Sequence, residues 1–567
     1  MQNSEIGRVL SEIADMLEIT GANFFRVRAY RNAARAVLDY PANFAELSLD
    51  KMSAVAGIGK DLSAKIATLA STGELALHRE LSAKVPPGVL ALMRLPGLGP
   101  KRVMQITREL GIEDLAQLKV AVEAGALRTI RGLGPKMEEK LLEHLNREHQ
   151  TKPKRWLYAD AAVEVDAMLK HLRRCKAVER AEAAGSFRRR RDTVGDLDIL
   201  ATASSPSEVT NWVLQYPRAA KTLGSGDTKT TLVLNDGLQV DVRVLPAESY
   251  GAALIYFTGS QAHCIHIRRI AQKMRLSLNE YGLMRAGKSI AGRTEEEVYA
   301  KLGMAWIPPE MREDRGEVEA ALENRLPRLI ERSDLRGDLH THSTYTDGRA
   351  SIEEMARAAK KAGLEYFAVT DHSQRLAMVH GLDPARLREQ WREIETVQTG
   401  LSGIKLLRGI EVDILDDGSL DLPDEVLAEL DWVVASVHSK LNQPAPEMTQ
   451  RLIKAIRNRH VDVIGHPTGR LIDKRDESTF DFGEVLRAAR GEGCALEVNS
   501  QPDRLDLVDT ACMAAKHAGV KLVISTDAHS SNGFDLIELG LAQARRGWIE
   551  PSDVLNTRPL RDLRQRR

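Results

Sequence analysis

Residues 183–200 read AAGSFRRRRDTVGDLDIL, and the fold of the middle of the chain turns on them. A Gly-Ser turn (Gly185, Ser186) leads through four arginines at 188–191 into Gly195-Asp196-Leu197-Asp198 and an apolar run. Alternate residues of a strand share a face, so Asp196 and Asp198 project together, separated by roughly 7 Å of backbone rise. Two carboxylates that close repel each other unless a cation lies between them. Downstream, LQVDVRVLP at 238–246 alternates Val240, Val242 and Val244 against Asp241, which predicts a second strand carrying a third carboxylate. Three carboxylates suit two divalent ions. The turn hydroxyl, its backbone amides and the arginines suit a triphosphate.

Outward from this segment the texture changes twice. Residues 1–150 place apolar positions at helical spacing and carry three related turns: Gly57-Ile58-Gly59, Gly97-Leu98-Gly99 and Gly132-Leu133-Gly134. The last two belong to identical GLGPK strings, with Lys101 and Lys136 two residues after the second glycine. A Gly-x-Gly turn opening a helix presents N–H groups that bind a phosphate oxygen, so sequence-independent contact with a DNA backbone is expected. Residues 150–156, QTKPKRW, read as a basic linker, and 156–310 as an α+β domain. A charged, Pro-containing segment then precedes a repeated pattern of helix, apolar strand and polar tip from about residue 335. Such alternation predicts an α/β barrel with functional groups at the C-terminal strand ends.

Those tips carry the chemistry. GDLHTHSTYTDG sets His340 and His342 two apart, with Asp347 after a turn. His372 in TDHS, Glu411 in GIEVD, His438 in SVHSK, His466 in GHPTG, and Asp527 with His529 in STDAHS each follow an apolar strand. Nine nitrogen and oxygen ligands exceed one tetrahedral ion and suit two or three. Lys440 and Arg470, just past two of the tips, are candidates to hold a phosphate.

The 567 residues predict three to five domains, and 43% hydrophobic with 28% charged residues excludes disordered and membrane classes. Net charge is zero, yet residues 1–330 carry +7 and the rest −7, a basic half for a polyanion and an acidic half for cations. The four cysteines stand far apart without a CxxC pair, so neither disulfides nor a zinc ribbon is expected, and a reducing, cytoplasmic setting is. No heptad pattern appears, which makes a monomer the expectation.

The three glycine turns resemble helix-hairpin-helix motifs, in which a monovalent cation can sit between hairpin and phosphate. Residues 1 to about 315 resemble the family X (DNA polymerase beta-like) DNA polymerases. The resemblance implies that Asp196, Asp198 and Asp241 are the catalytic metal carboxylates for Mg²⁺ or Mn²⁺. It implies that Gly185, Ser186, Arg189 and Gly195, with Tyr256, Phe257 and Gly259 of YFTGS, bind the incoming dNTP. Arg268 would contact template. Gly57, Gly59, Gly97, Gly99, Gly132 and Gly134, with Lys65, Lys101 and Lys136, would contact DNA. Two departures stand out: Cys264 replaces a nucleotide-reading asparagine, and Asp61 replaces a lysine that accompanies the Schiff-base position, here Lys65.

Residues 335–567 resemble the polymerase and histidinol phosphatase (PHP) domain family. The resemblance implies one metal on His340, His342, Glu411 and Asp527, a second shared by Glu411 with His438 and His466, and a third on Asp347, His372 and His529, the ions being Mn²⁺ or Zn²⁺. The expected organisation is a helical DNA-binding region at 1–150, a nucleotidyltransferase palm at 151–245, a thumb at 246–315, a linker at 316–334 and a distorted β/α PHP barrel at 335–567. The expected function is a gap-filling DNA repair polymerase acting on gapped or primer-template DNA, with a PHP 3′–5′ exonuclease, 3′-phosphatase or abasic-site endonuclease. The alternative is a PHP nuclease or small-molecule phosphatase attached to an inactive polymerase-like scaffold.

Overall fold

The computed structural model describes residues 1, 3–38, 40, 44–55, 57–93, 95, 98–130, 133–134, 137–138, 141 and 154–563. The chain divides into two compact units, Met1–Lys154 and Arg155–Arg567.

The first unit is helical. Helix Lys60–Thr72 starts at Gly59 and stops at Gly73, whose φ of 74° is a left-handed stop that glycine adopts without strain. Helix Pro100–Leu110 repeats the design, with Gly99 as N-cap, proline in its first turn and Gly111 (φ 67°) as C-cap. The apolar faces of these helices, with Asn3–Ile19 and Phe24–Leu38, close one core around Ile6, Leu10, Ile13, Val37, Ile66 and Val103, all fully buried. Each buried aliphatic side chain contributes about 1.5–3 kcal/mol.

The second unit begins with a five-stranded sheet in the order Val178–Ala183, Asp196–Ala203, Gln239–Leu245, Lys229–Leu234, Ala219–Ser225. Its central pair, Asp196–Ala203 and Gln239–Leu245, is parallel, and the register sets Asp198 opposite Asp241. Leu197, Ile199, Val240 and Val242 alternate with these carboxylates and pack into the sheet's core. The edge strands Val178–Ala183 and Ala219–Ser225 lack an alternating apolar pattern, which is why periodicity did not announce them. Helices Tyr250–Thr258 and Gln261–Lys273 follow, then three short antiparallel strands between Ser277 and Ala291.

From Gly337 onward seven parallel strands run in chain order: Gly337–Asp338, Tyr366–Val369, Lys405–Asp413, Trp432–Ser436, Val463–Ile464, Ala495–Asn499 and Leu522–Ser525. The ring closes through a Thr341–Ala528 bridge and through the His342 N–H, which donates to the Ala528 carbonyl at 2.9 Å. One face of the strands buries Leu339, Tyr366, Trp432, Val434 and Val523 inside the ring. The other packs Ile410, Val433, Leu496 and Ile524 against the outer helices. Both faces being apolar, only the strand ends remain for polar groups.

Candidate active sites

The register that pairs Asp198 with Asp241 makes the first site, and Asp196 stands beside it at the strand's start. Burial first, then the neighbouring Asp196 and Asp241 charges, pushes the Asp198 carboxyl up to about 6. Asp241 accepts from the Thr231 hydroxyl at 2.6 Å and pairs with the Lys229 ammonium at 2.7 Å. Gly185 holds φ 62°, and a Cβ there would meet Asp198 Oδ2 at 2.7 Å, so the Gly-Ser turn can lie against the carboxylates only as glycine.

The arginines behind Ser186 diverge. Arg188 fans out to Glu182 (2.9 Å), the Thr258 hydroxyl (2.9 Å) and Glu295 (2.7 Å), and the buried Arg312 grips Glu295 from the other side at 2.6 Å. Burial alone would raise the Glu295 carboxyl; Arg312 and Arg188 overrule it and hold it well below the carboxylate range. Arg189 donates to Glu313 at 3.1 Å and to the Thr258 carbonyl, bringing it to the Thr258-Gly259 segment. Gly259 is itself confined: its φ is 72° and a Cβ would meet Arg189 Nη1 at 3.1 Å. Tyr256 and Phe257 pack edge to face, Arg268 lies 4.9 Å from the Tyr256 ring centre, and Arg243 lies 4.4 Å from that of Phe257. Cys264 is buried behind this segment, its thiol donating to the Ile255 carbonyl at 3.4 Å, and burial pushes the thiol up.

The second site gathers all nine ligand candidates at the C-terminal mouth of the barrel. Glu411 is central: His372 Nδ1 stands 2.8 Å from its carboxylate, His466 3.0 Å, His438 3.2 Å, His340 3.3 Å and His342 3.6 Å. Asp527 faces His342 at 3.0 Å, and Asp347 faces His529 at 3.3 Å and His372 at 3.5 Å. Three groups have their donor atoms within the span of one ion: His342, Asp347, His372 and His529; His340, His342 and Asp527; His372, Glu411 and His438. These groups differ from the expected ligand sets: Glu411 groups with His372 and His438 rather than with His340, His342 and Asp527, His466 falls outside all three, and His342 also joins Asp347, His372 and His529.

Burial and neighbouring charges pull these histidines in opposite directions. Burial and the His529 and His372 charges push His342 down to about 3. His372 is instead driven up to about 10: burial opposes this, and Glu411 and Asp347 outweigh it. Among the described residues, buried nitrogens of His340, His342, His372 and His466 have no hydrogen-bond partner. Orphaned imidazole nitrogens converging on carboxylates are what a divalent-metal cluster requires, and the donor set fits one.

A supporting layer was not anticipated. Glu497 accepts from His340 Nδ1 at 2.7 Å and from the His466 N–H at 2.6 Å; Asp413 accepts from His438 Nδ1 at 3.0 Å; Asn499 donates to Asp527 at 3.0 Å. Such groups fix the ring orientation of a ligand. Asp413 ends its strand two residues after Glu411, whereas Glu497 lies mid-strand in Ala495–Asn499, where no strand-end pattern points to it. Lys440 and Arg470 are engaged elsewhere: Lys440 with Asp416 at 2.6 Å, and Arg470 with Asp192 at 3.2 Å and the Arg504 and Leu505 carbonyls.

In the helical unit, a Cβ at Gly59, Gly99 or Gly134 would meet nothing within 4 Å among the described residues. Lys65 pairs with Asp61 at 2.6 Å beside the Tyr30 ring. Gly97, Gly132 and Lys136, and the Lys101 side chain, lie outside the described residues.

A carboxylate trio on a parallel strand pair beside a Gly-Ser turn, joined to a histidine-lined barrel mouth, defines a nucleotidyltransferase combined with a metal-dependent phosphoesterase. Family profiles divide the chain accordingly: a helix-hairpin-helix domain matches 1–75, a SAM-like helix-hairpin-helix tandem 89–147, the DNA polymerase beta thumb 253–313 and the PHP domain 338–501. The chain is 39% identical over 567 residues to the DNA polymerase/3′-5′ exonuclease PolX of Bacillus subtilis (strain 168), covering 99% of both proteins. It is also 33% identical over 232 residues to a probable phosphatase of Thermoanaerobacter sp. (strain X514), covering 39% of this chain and 89% of that one. A probable phosphatase of Vibrio campbellii (strain ATCC BAA-1116) matches at 30% over 234 residues, 39% of this chain. The chain belongs to the family X DNA polymerases that carry a C-terminal PHP domain.

Proposed function

We propose that the protein fills short gaps in DNA during repair and trims 3′ ends at a second, independent centre. The carrying observation is the in-register Asp198–Asp241 pair, with Asp198 pushed up to about 6 by burial and by its two acidic neighbours. Such a cluster is costly to fold unless cations relieve it, which argues against an idle scaffold. Bound Mg²⁺ or Mn²⁺ would supply charge neutralisation and Lewis acidity for phosphoryl transfer. The chain's own part is placement. Asp196, Asp198 and Asp241 fix where cations sit relative to the primer end. The turn amides at Gly185 and Ser186 and the Arg189 guanidinium orient the dNTP triphosphate, with Tyr256, Phe257 and Gly259 lining the sugar and base side. The glycine turns of the helical unit offer N–H groups to DNA phosphates, and Arg268 contacts template.

At the barrel mouth, His340, His342, Asp347, His372, Glu411, His438, His466, Asp527 and His529 would hold two or three Mn²⁺ or Zn²⁺ ions for hydrolysis of a 3′-terminal phosphodiester. Glu497 and Asp413 orient His340 and His438 for that purpose. The proposed domain limits are a palm at 151–245, a thumb at 246–315 and the PHP barrel at 335–567, in a monomer working in the cytoplasm. Among the described residues no helix is long and apolar enough to cross a membrane.

The test uses a 5′-labelled, one-nucleotide-gapped duplex with Mn²⁺, with and without dNTPs. Extension vanishes only in Asp196→Ala/Asp198→Ala and shortening only in His342→Ala if both centres are as described. A wild-type protein that shortens but never extends overturns the polymerase assignment. A preference for histidinol phosphate over DNA ends overturns the nuclease assignment.

A further inference from the structure

The triphosphate loop is held by the C-terminal barrel. The Arg546 side chain, at the end of helix Ile537–Arg546, is 2% exposed and donates from Nη1 to the Arg189 carbonyl at 2.8 Å and to Glu313 at 3.0 Å. Its Nη2 donates to Asp509 at 2.5 Å, and Asp509 also takes Arg315 at 3.0 Å. Arg470 anchors the same loop at Asp192. Glu313 is therefore shared: its carboxylate receives Arg189 from the palm and Arg546 from the barrel, with Arg191 at 3.7 Å.

Resting on the assignment of Arg189 to the triphosphate, we infer that Glu313 and the barrel residue Arg546 set how tightly the polymerase site holds a nucleoside triphosphate. Glu313 stands where Arg189 would otherwise be free for a phosphate oxygen, so the incoming triphosphate exchanges one anionic partner of Arg189 for another. A buried carboxylate left without its cation is costly. Arg546 removes that cost, because Glu313 keeps a bidentate-capable partner when Arg189 turns to the nucleotide. Arg546 also fixes the Arg189 main chain, so the side chain turns without the loop moving. Both are positioning residues, since neither reaches the reacting atoms.

The two substitutions act in opposite directions. Glu313→Gln weakens the competing anion and lowers the KM for the templated dNTP, by roughly threefold or more. Arg546→Ala loosens the loop and leaves Glu313 with Arg189 and the more distant Arg191, raising that KM by roughly tenfold, the worth of one charge-assisted hydrogen bond. In both, kcat for gap filling and dNTP-free 3′ shortening stay within about twofold of wild type. Arg546→Lys, which retains one donor for the Arg189 carbonyl, restores part of the affinity. Asp509→Asn replaces Arg546→Ala if the latter does not fold, with the same direction expected. The assay is steady-state filling of a one-nucleotide gap by the full-length protein, with Arg189→Ala as reference. The inference is overturned if Arg189→Ala raises KM while the Glu313 and Arg546 variants leave it unchanged. It is equally overturned if those variants lower kcat and shortening together. If Arg189→Ala itself leaves KM unchanged, the assignment of the triphosphate loop fails and the inference goes with it.

Discussion

Replacing Glu497 by glutamine keeps its volume and removes one charge, and the consequence follows from donor counting. Glu497 Oε1 accepts from His340 Nδ1 at 2.7 Å; Oε2 accepts from the His466 N–H at 2.6 Å and from Asn499 at 3.2 Å. All three partners are donors and the glutamate is 1% exposed, so water cannot substitute. A glutamine offers one acceptor atom. With its oxygen toward His340, its amide meets the His466 N–H and Asn499 donor to donor. With its oxygen toward His466, its amide faces His340 Nδ1 and drives that ring to the other tautomer, placing a proton on Nε2, which points at Glu411 3.3 Å away. Either way one charge-assisted bond is lost, worth about 1.5–3 kcal/mol, and the loss falls on ligand orientation. Metal affinity at the barrel mouth should fall about 10- to 100-fold, the range found for such supporting groups. The assay is metal content after dialysis against buffered Mn²⁺ or Zn²⁺, read beside 3′ shortening and gap filling on one labelled substrate. Expected is loss of metal and of shortening with extension intact. Full metal retention with normal shortening would refute the role given to Glu497.

Three further outcomes are expected. Gly185→Ala imposes a left-handed φ costing about 1–2 kcal/mol and pushes a methyl to 2.7 Å from Asp198, so single-turnover gap filling should drop at least tenfold while shortening persists. Asp198, pushed up to about 6, is protonated below that pH and its negative charge is lost there, so the Mg²⁺ concentration for half-maximal extension should rise as pH falls from 7 to 5, and Asp198→Ala should abolish extension across the range. Brief chelation followed by Mg²⁺ alone should restore extension at once and leave shortening lost until Mn²⁺ or Zn²⁺ is added, measured on the same gapped duplex.

Much of both candidate sites was legible because each candidate ligand sits where backbone periodicity displays it. The two-residue spacing of Asp196 and Asp198 survives into the sheet, as does the alternation around Asp241. What no spacing could give is the register that sets Asp198 against Asp241, because it depends on a parallel pairing across more than forty residues. The barrel was readable from apolar strands ending in histidine or acid. Its closure through Thr341 and Ala528 was not, since a single bridge has no periodic signature. Asp413 ends its strand and Glu497 lies within CALEVN, but the partner a buried carboxylate takes is decided by three-dimensional approach, so neither was read as support for a ligand. Arg470 shows the same limit from the other side: a cation near a ligand in sequence is drawn to Asp192 and two main-chain carbonyls.

The two candidate centres differ in the chemistry of their donors, and that difference would let one chain keep them independent. The first offers three aspartates, Asp196 exposed, Asp198 half-buried and Asp241 buried: hard oxygen ligands that suit Mg²⁺. The second surrounds Glu411, Asp347 and Asp527 with six imidazoles, and all of these except Asp347, His438 and His529 are buried. Imidazole suits Zn²⁺ and carboxylate suits Mn²⁺, so this mixed donor set would accept either. A cellular excess of Mg²⁺ can then serve extension without displacing the ions that serve hydrolysis. Direct links between the two parts are protein contacts, and three of them, Arg546 to the Arg189 carbonyl, Arg190 to Glu538 at 3.9 Å and Arg470 to Asp192, meet the loop assigned here to the triphosphate.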